Sequence, residues 1–119
     1  MESEQRPWGA WHVLDEGPGY KVKRIEVRPG ERLSYQTHQH RSEHWTVVQG
    51  TATCTLDGET FEVKTGGSAD VGVGTPHRIA NLHDEALVVI EVQRGDYTGE
   101  DDIRRLDDDY GRDTGSRET

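Results

Sequence analysis

Between Gly30 and Gly50 the chain reads GERLSYQTHQHRSEHWTVVQG, which places Gln36, His38, His40, Glu43 and His44 within nine residues. Imidazole nitrogens with a carboxylate oxygen form the usual donor set for zinc, manganese, iron, nickel or cobalt, and one thiol-free segment can supply three ligands. Side chains two apart on a strand share a face, so positions 36, 38 and 40 would carry Gln, His and His on one side. A turn or bulge at Arg41 and Ser42 would return Glu43 to that side, with Trp45 and Val47 in phase behind it. His44 has the opposite parity and points outward. Either Gln36 or His40 can join His38 and Glu43 by this argument. A second segment, GGSADVGVGTPHRIAN over residues 66–81, offers His77. His12 and His83 have no such surroundings and read as surface residues.

Elements that would position these groups are short strands. YKVKRIEVR (20–28) is strand-like and ends at Pro29 and Gly30. Residues 33–40 and 45–48 are the next two strands. TATCTL and ETFEV flank Asp57 and Gly58, the two-residue turn in which both positions want positive φ. LVVIEVQ (87–93) is a nearly continuous apolar run of the buried kind. Strands of this length, spaced by Gly-rich turns with no long helical period before residue 98, predict an all-β sandwich or barrel. We divide the chain into an irregular N-terminal arm over 1–19 anchored by Trp8 and Trp11, a barrel over 20–98, a short helix within 99–112, and a disordered tail over 113–119.

At 119 residues with net charge −9, the chain suits one domain. From Gly95 to Thr119 there are nine acids against four arginines. An acidic protein repels phosphate backbones and anionic lipid, which argues against nucleic acid and membrane partners. Cys54 alone cannot form an internal disulfide, and no apolar run reaches the length of a membrane span, so a cytoplasmic location is expected.

The spacing Gly30, five residues, Gln36-Thr37-His38, four residues, Glu43, six residues, Gly50 resembles the first cupin motif, with Gln36 in place of its first histidine. Gly66, five residues, Gly72-Val73-Gly74, two residues, His77, three residues and Asn81 resembles the second, with Gly72 where proline is usual. RPWG (6–9), GYKVKRI (19–25), HRSEHW (40–45), IEVQ (90–93), GEDDI (99–103) and YGR (110–112) together resemble the cupin domain of type II phosphomannose isomerases. That resemblance implies an all-β, single-domain cupin, a double-stranded β-helix or jelly-roll barrel, with a short C-terminal helix.

It also implies one divalent metal ion, zinc first and manganese, nickel, cobalt or iron next, held by Gln36, His38, Glu43 and His77. His40 then becomes a cavity residue and the favoured general base. Arg105 would bind a substrate phosphate, with Arg78, Lys21 and Lys23 behind it, although surface salt bridges are the better reading of the two lysines. The implied activity is a metal-dependent sugar-phosphate isomerase interconverting mannose 6-phosphate and fructose 6-phosphate through an enediolate. A non-catalytic metal- or sugar-binding module and a metal-dependent oxygenase are the alternatives. No Gly-rich nucleotide-binding loop is present, so nucleotidyl transfer is not implied. Exposed barrel edges favour a homodimer.

Overall fold

Alternation is clearest on Tyr20–Val27, where Lys21, Lys23, Ile25 and Val27 are buried and the residues between them are less so. That period of two makes the segment a strand with one face on the interior. A computed structural model describes residues 2–112, and among them every regular element is a strand. In chain order these are β1 (Ser3–Arg6), β2 (Gly9–Gly17), β3 (Tyr20–Val27), β4 (Tyr35–Thr37), β5 (Arg41–Gln49), β6 (Thr51–Leu56), β7 (Glu59–Lys64), β8 (Ser68–Val71), β9 (His77–Ala80), β10 (Leu87–Gly95) and β11 (Arg104–Asp107).

They form two antiparallel sheets, ordered β1-β2-β3-β10-β5-β8 and β11-β4-β9-β6-β7. The all-β cupin expectation holds. One sheet supplies Trp11, Ile25, Trp45 and Val89 to the core, and the other supplies Cys54, Val63 and Ile79. LVVIEVQ begins β10, which lies between β3 and β5, and this position explains its continuous apolar character. The Asp57-Gly58 turn forms as expected, with φ of +48° and +84°, and Leu56 pairs with Glu59 across it.

Two expectations fail. Residues 3–17, read as an irregular arm, instead form β1 and β2 and extend the larger sheet. Their glycines and prolines serve turns and close contacts: a Cβ on Gly9 would lie 1.9 Å from the Glu26 carbonyl oxygen. Trp8 and Trp11 are buried as anchors. No helix forms over 99–112. Ile103 and Leu106 are too few apolar residues to give a helix a buried face, and the acids serve the loops instead. Asp102 accepts the Gln39 and His40 backbone N–H groups at 2.8 and 2.9 Å, and Asp108 holds Arg112. The segment then pairs with β4 as β11, Arg105 opposite Gln36. The expected disorder over 113–119 lies outside the described residues. No helix long and apolar enough to cross a membrane occurs among the described residues.

Candidate metal centre

His38 follows β4, Glu43 lies on β5 and His77 opens β9, so three elements from both sheets converge on one buried point. Their ligand atoms all lie within 4.8 Å of one another. His38 Nε2 is 3.1 Å from His77 Nε2 and 3.1 Å from Glu43 Oε2, while His77 Nε2 is 3.7 Å from Glu43 Oε1.

The far sides of both rings fix their tautomers. His38 Nδ1 donates to the Asp102 carbonyl at 2.6 Å, and His77 Nδ1 donates to the Thr75 carbonyl at 2.8 Å. Carbonyls only accept, so each Nδ1 carries the proton and each Nε2 turns a lone pair inward. Two lone pairs and a carboxylate then face one another at about hydrogen-bond distance, an arrangement that repels unless a cation lies among them. Ligand nitrogens at about 2.0–2.1 Å from one ion stand roughly 3 Å apart, which this pair matches. The donor set therefore fits a divalent metal.

Gln36 pairs with His77 across β4 and β9, and its side chain is buried in the same cavity. Its Nε2 donates to the Ser34 carbonyl and hydroxyl at 3.3 and 3.0 Å, which leaves Oε1 as the acceptor a metal would use. His40 is exposed, its ring edge-on to Tyr97 with centroids 5.9 Å apart, and it does not line the cavity. His44 points outward to Asp70, as its parity requires. His12 and His83 make surface contacts with Ser3 and Glu62.

Burial opposes ionisation of Glu43, but the adjoining His38 and His77 rings and the Arg41 guanidinium outweigh it and hold the carboxyl well below its usual range. Burial lowers the pKa of His77 and keeps it neutral, the form that binds metal. Glu91 on β10 behaves oppositely: burial, reinforced by the Glu43 charge, pushes it up to about 8. Trp45 Nε1 joins the two carboxyls, donating to Glu43 Oε1 at 2.9 Å and to Glu91 Oε2 at 3.3 Å.

The cavity beside these groups has a volume of about 80 Å³. That holds an ion and a few waters, far less than the roughly 300–1,000 Å³ of ordinary ligand pockets. A sugar phosphate requires the cavity to open, and three long arginines, Arg6, Arg105 and Arg112, are among the side chains that line it. Arg105 Nε is buried without a hydrogen-bond partner among the described residues. Burial and the neighbouring Arg112 charge lower its pKa and outweigh the Asp108 carboxylate, so this guanidinium would gain from a further anion.

Arg78 is less available. It donates to the Leu33 carbonyl and to Asp107, tying β9 to β11. Lys21 and Lys23 are 5% and 4% exposed, which corrects their reading as surface salt bridges. Both reach Glu100, at 3.4 and 2.5 Å, and Lys23 Nζ lies 4.0 Å from the centre of the Trp11 ring. Their parity with Ile25 and Val27 was the available sign of an inward face. The sequence reading also missed Glu91, whose sign was a carboxylate inside the apolar run LVVIEVQ, and Arg41.

Comparison with known proteins agrees with this geometry. Residues 2–108 match the family described as mannose-6-phosphate isomerase C-terminal. The alginate biosynthesis protein AlgA of Pseudomonas aeruginosa is 50% identical over 107 residues, covering 90% of this chain and 22% of the relative. A mannose-1-phosphate guanylyltransferase of Salmonella montevideo is 49% identical over 107 residues, again 90% of this chain and 23% of the relative. The chain thus spans less than a quarter of the length of these curated relatives. Among solved structures, the Cnp3 cupin domain of Schizosaccharomyces pombe superposes with a TM-score of 0.69 at 23% identity, over 73% of this chain and 64% of that one. On the match across nearly its whole length, the chain belongs to the mannose-6-phosphate isomerase C-terminal family.

Proposed function

We propose that this protein is a metal-dependent sugar-phosphate isomerase interconverting mannose 6-phosphate and fructose 6-phosphate through an enediolate. The observation that carries this reading is the buried His38, Glu43 and His77 donor set beside a cavity that Glu43, His77 and Arg105 line, with Arg105 Nε unpartnered among the described residues. Gln36 completes the ligand set. A divalent metal there, zinc first, supplies a Lewis acid that favours negative charge on a sugar oxygen.

The residues of this chain do the rest. Arg105, with Arg6 and Arg112 beside it, receives the phosphate and orients the sugar chain along the cavity. Trp8 and Trp11 give the cavity apolar wall and limit water. A carboxyl or imidazole must carry a proton between C1 and C2, within about 3 Å of the carbon. Glu91 lines the cavity and His40 does not, which favours Glu91 for this step. Its pKa of about 8 suits a group that must both give and take a proton near neutrality. A cytoplasmic location and a homodimer belong to the same proposal.

The test is a coupled assay of fructose 6-phosphate formation, on chelated protein reloaded separately with zinc, manganese, cobalt, nickel and iron. Turnover should return with one metal and vanish in His38→Ala and His77→Ala. Arg105→Ala should keep the metal and raise KM at least about tenfold, the loss of a charge-assisted contact. Absence of turnover with every metal, in protein shown to hold one, rules out the isomerase and leaves a metal-binding cupin.

A further inference from the structure

Arg41 opens β5 against Gly95 of β10, an approach so close that a Cβ on Gly95 would lie 2.0 Å from the His40 carbonyl oxygen. That contact fixes where the Arg41 side chain starts. It then runs inward with only 7% exposure. Nε donates to Glu43 Oε2 at 2.9 Å, and an Nη lies 3.2 Å from His38 Nε2. Because His38 Nδ1 is committed to the Asp102 carbonyl, Nε2 has a lone pair with which to accept that Nη–H. One cation thus already engages two of the three atoms that would hold the metal.

The two occupants exclude each other. A divalent ion about 2 Å from His38 Nε2 and Glu43 Oε2 would stand within a few ångströms of a guanidinium that salt barely screens at this depth. Doubly charged against singly charged, the repulsion is large even at an effective dielectric of about 20. The guanidinium also has other acceptors within reach. Another Nη lies 3.5 Å from the Gly99 carbonyl, and against the lowering effect of burial the Glu43 and Glu100 charges raise its pKa.

We infer that Arg41 is a resident counter-charge that stands in for the metal: it engages Glu43 and His38 in the metal-free protein and moves toward Gly99 and Glu100 when the ion enters. It therefore holds metal affinity below what the ligand set alone would give. The inference rests on the reading of His38, Glu43 and His77 as metal ligands. A guanidinium that merely braced Glu43 would have the opposite sign, since its removal would loosen the ligand and weaken binding.

The experiment titrates cobalt(II) into the chelated full chain, followed by visible absorption and calorimetry, for the wild type, Arg41→Gln and Arg41→Lys. Arg41→Gln should bind at least about tenfold more tightly, and Arg41→Lys, which keeps the charge, should stay near the wild type. Equal or weaker binding by Arg41→Gln overturns the inference. A second measurement needs no variant. In the zinc-free wild type the Arg41 Nε–H should exchange slowly with solvent by nitrogen-resolved NMR, and it should lose that protection at saturating zinc. Protection unchanged by bound zinc also overturns the inference, even if Arg41→Gln does not fold. Folded protein that binds neither metal in any form removes the metal reading itself, and this inference with it.

Discussion

Glu91→Gln isolates one buried carboxyl whose ionisation the fold resists. Glu91 is 5% exposed, accepts the Gln93 amide at 2.7 Å on Oε1, and accepts on Oε2 at 3.3 Å the Trp45 indole N–H that Glu43 also accepts. Its folded-state pKa of about 8 stands above the unfolded value of 4.5. A raised pKa contributes stability that is fully present below 4.5 and is lost as pH rises through 8, because the unfolded chain releases the proton more readily. At 1.36 kcal/mol per unit, the loss between pH 5 and pH 8 is about 3–4 kcal/mol. Glutamine mimics the protonated acid: its oxygen can accept from Gln93 and its amide can donate to Glu43. The variant should therefore lack this part of the decline. The assay is denaturant unfolding of both chelated proteins at several pH values, read as the difference between them so that the shared histidines cancel. The difference should grow in favour of Glu91→Gln by about 3–4 kcal/mol from pH 5 to pH 8. A difference constant to within about 0.5 kcal/mol would refute the assignment of a neutral Glu91.

Two further outcomes follow from the fold. Asn81 is fully buried, its amide donates to the Val27 and Glu85 carbonyls at 3.0 and 2.8 Å, and its oxygen accepts the His83 N–H at 3.1 Å. Asn81→Ala should cost about 2–4 kcal/mol, since it strands three backbone groups; a loss below about 1 kcal/mol in the same unfolding assay contradicts that account. The outer edges of the sheets are β1, β8, β7 and β11, and pairing through one of them should give a homodimer. Light scattering that returns the 13.4 kDa mass of one chain excludes it.

Much of the architecture was legible because it is written in local chemistry. The Asp57-Gly58 hairpin needed only residues tolerant of positive φ, and LVVIEVQ announced a central strand by carrying apolar side chains on both faces. The His38, Glu43 and His77 cluster could be anticipated from donor types and motif spacing, since ligand chemistry admits few residue types. The arm and the helix were misread for the converse reason. Gly9 and Pro7 look like loop residues until the close approach of Glu26 gives Gly9 a purpose, and the acids of 99–110 look like a helix start until Asp102 is seen accepting the N–H groups of Gln39 and His40.

The sequence by itself determined the strand period, the turns and the inventory of metal donors, because these depend on neighbours two or three residues away. Only the tertiary structure decided which charges share the cavity. Glu91 joined to Glu43 through Trp45 and Arg105 left without an acceptor depend on strands far apart in the chain, and Arg41 meets His38, three residues away, only because the chain passes from one sheet to the other between them. Electrostatic energy in a buried site follows distance and desolvation, and both are set by the packing of the two sheets.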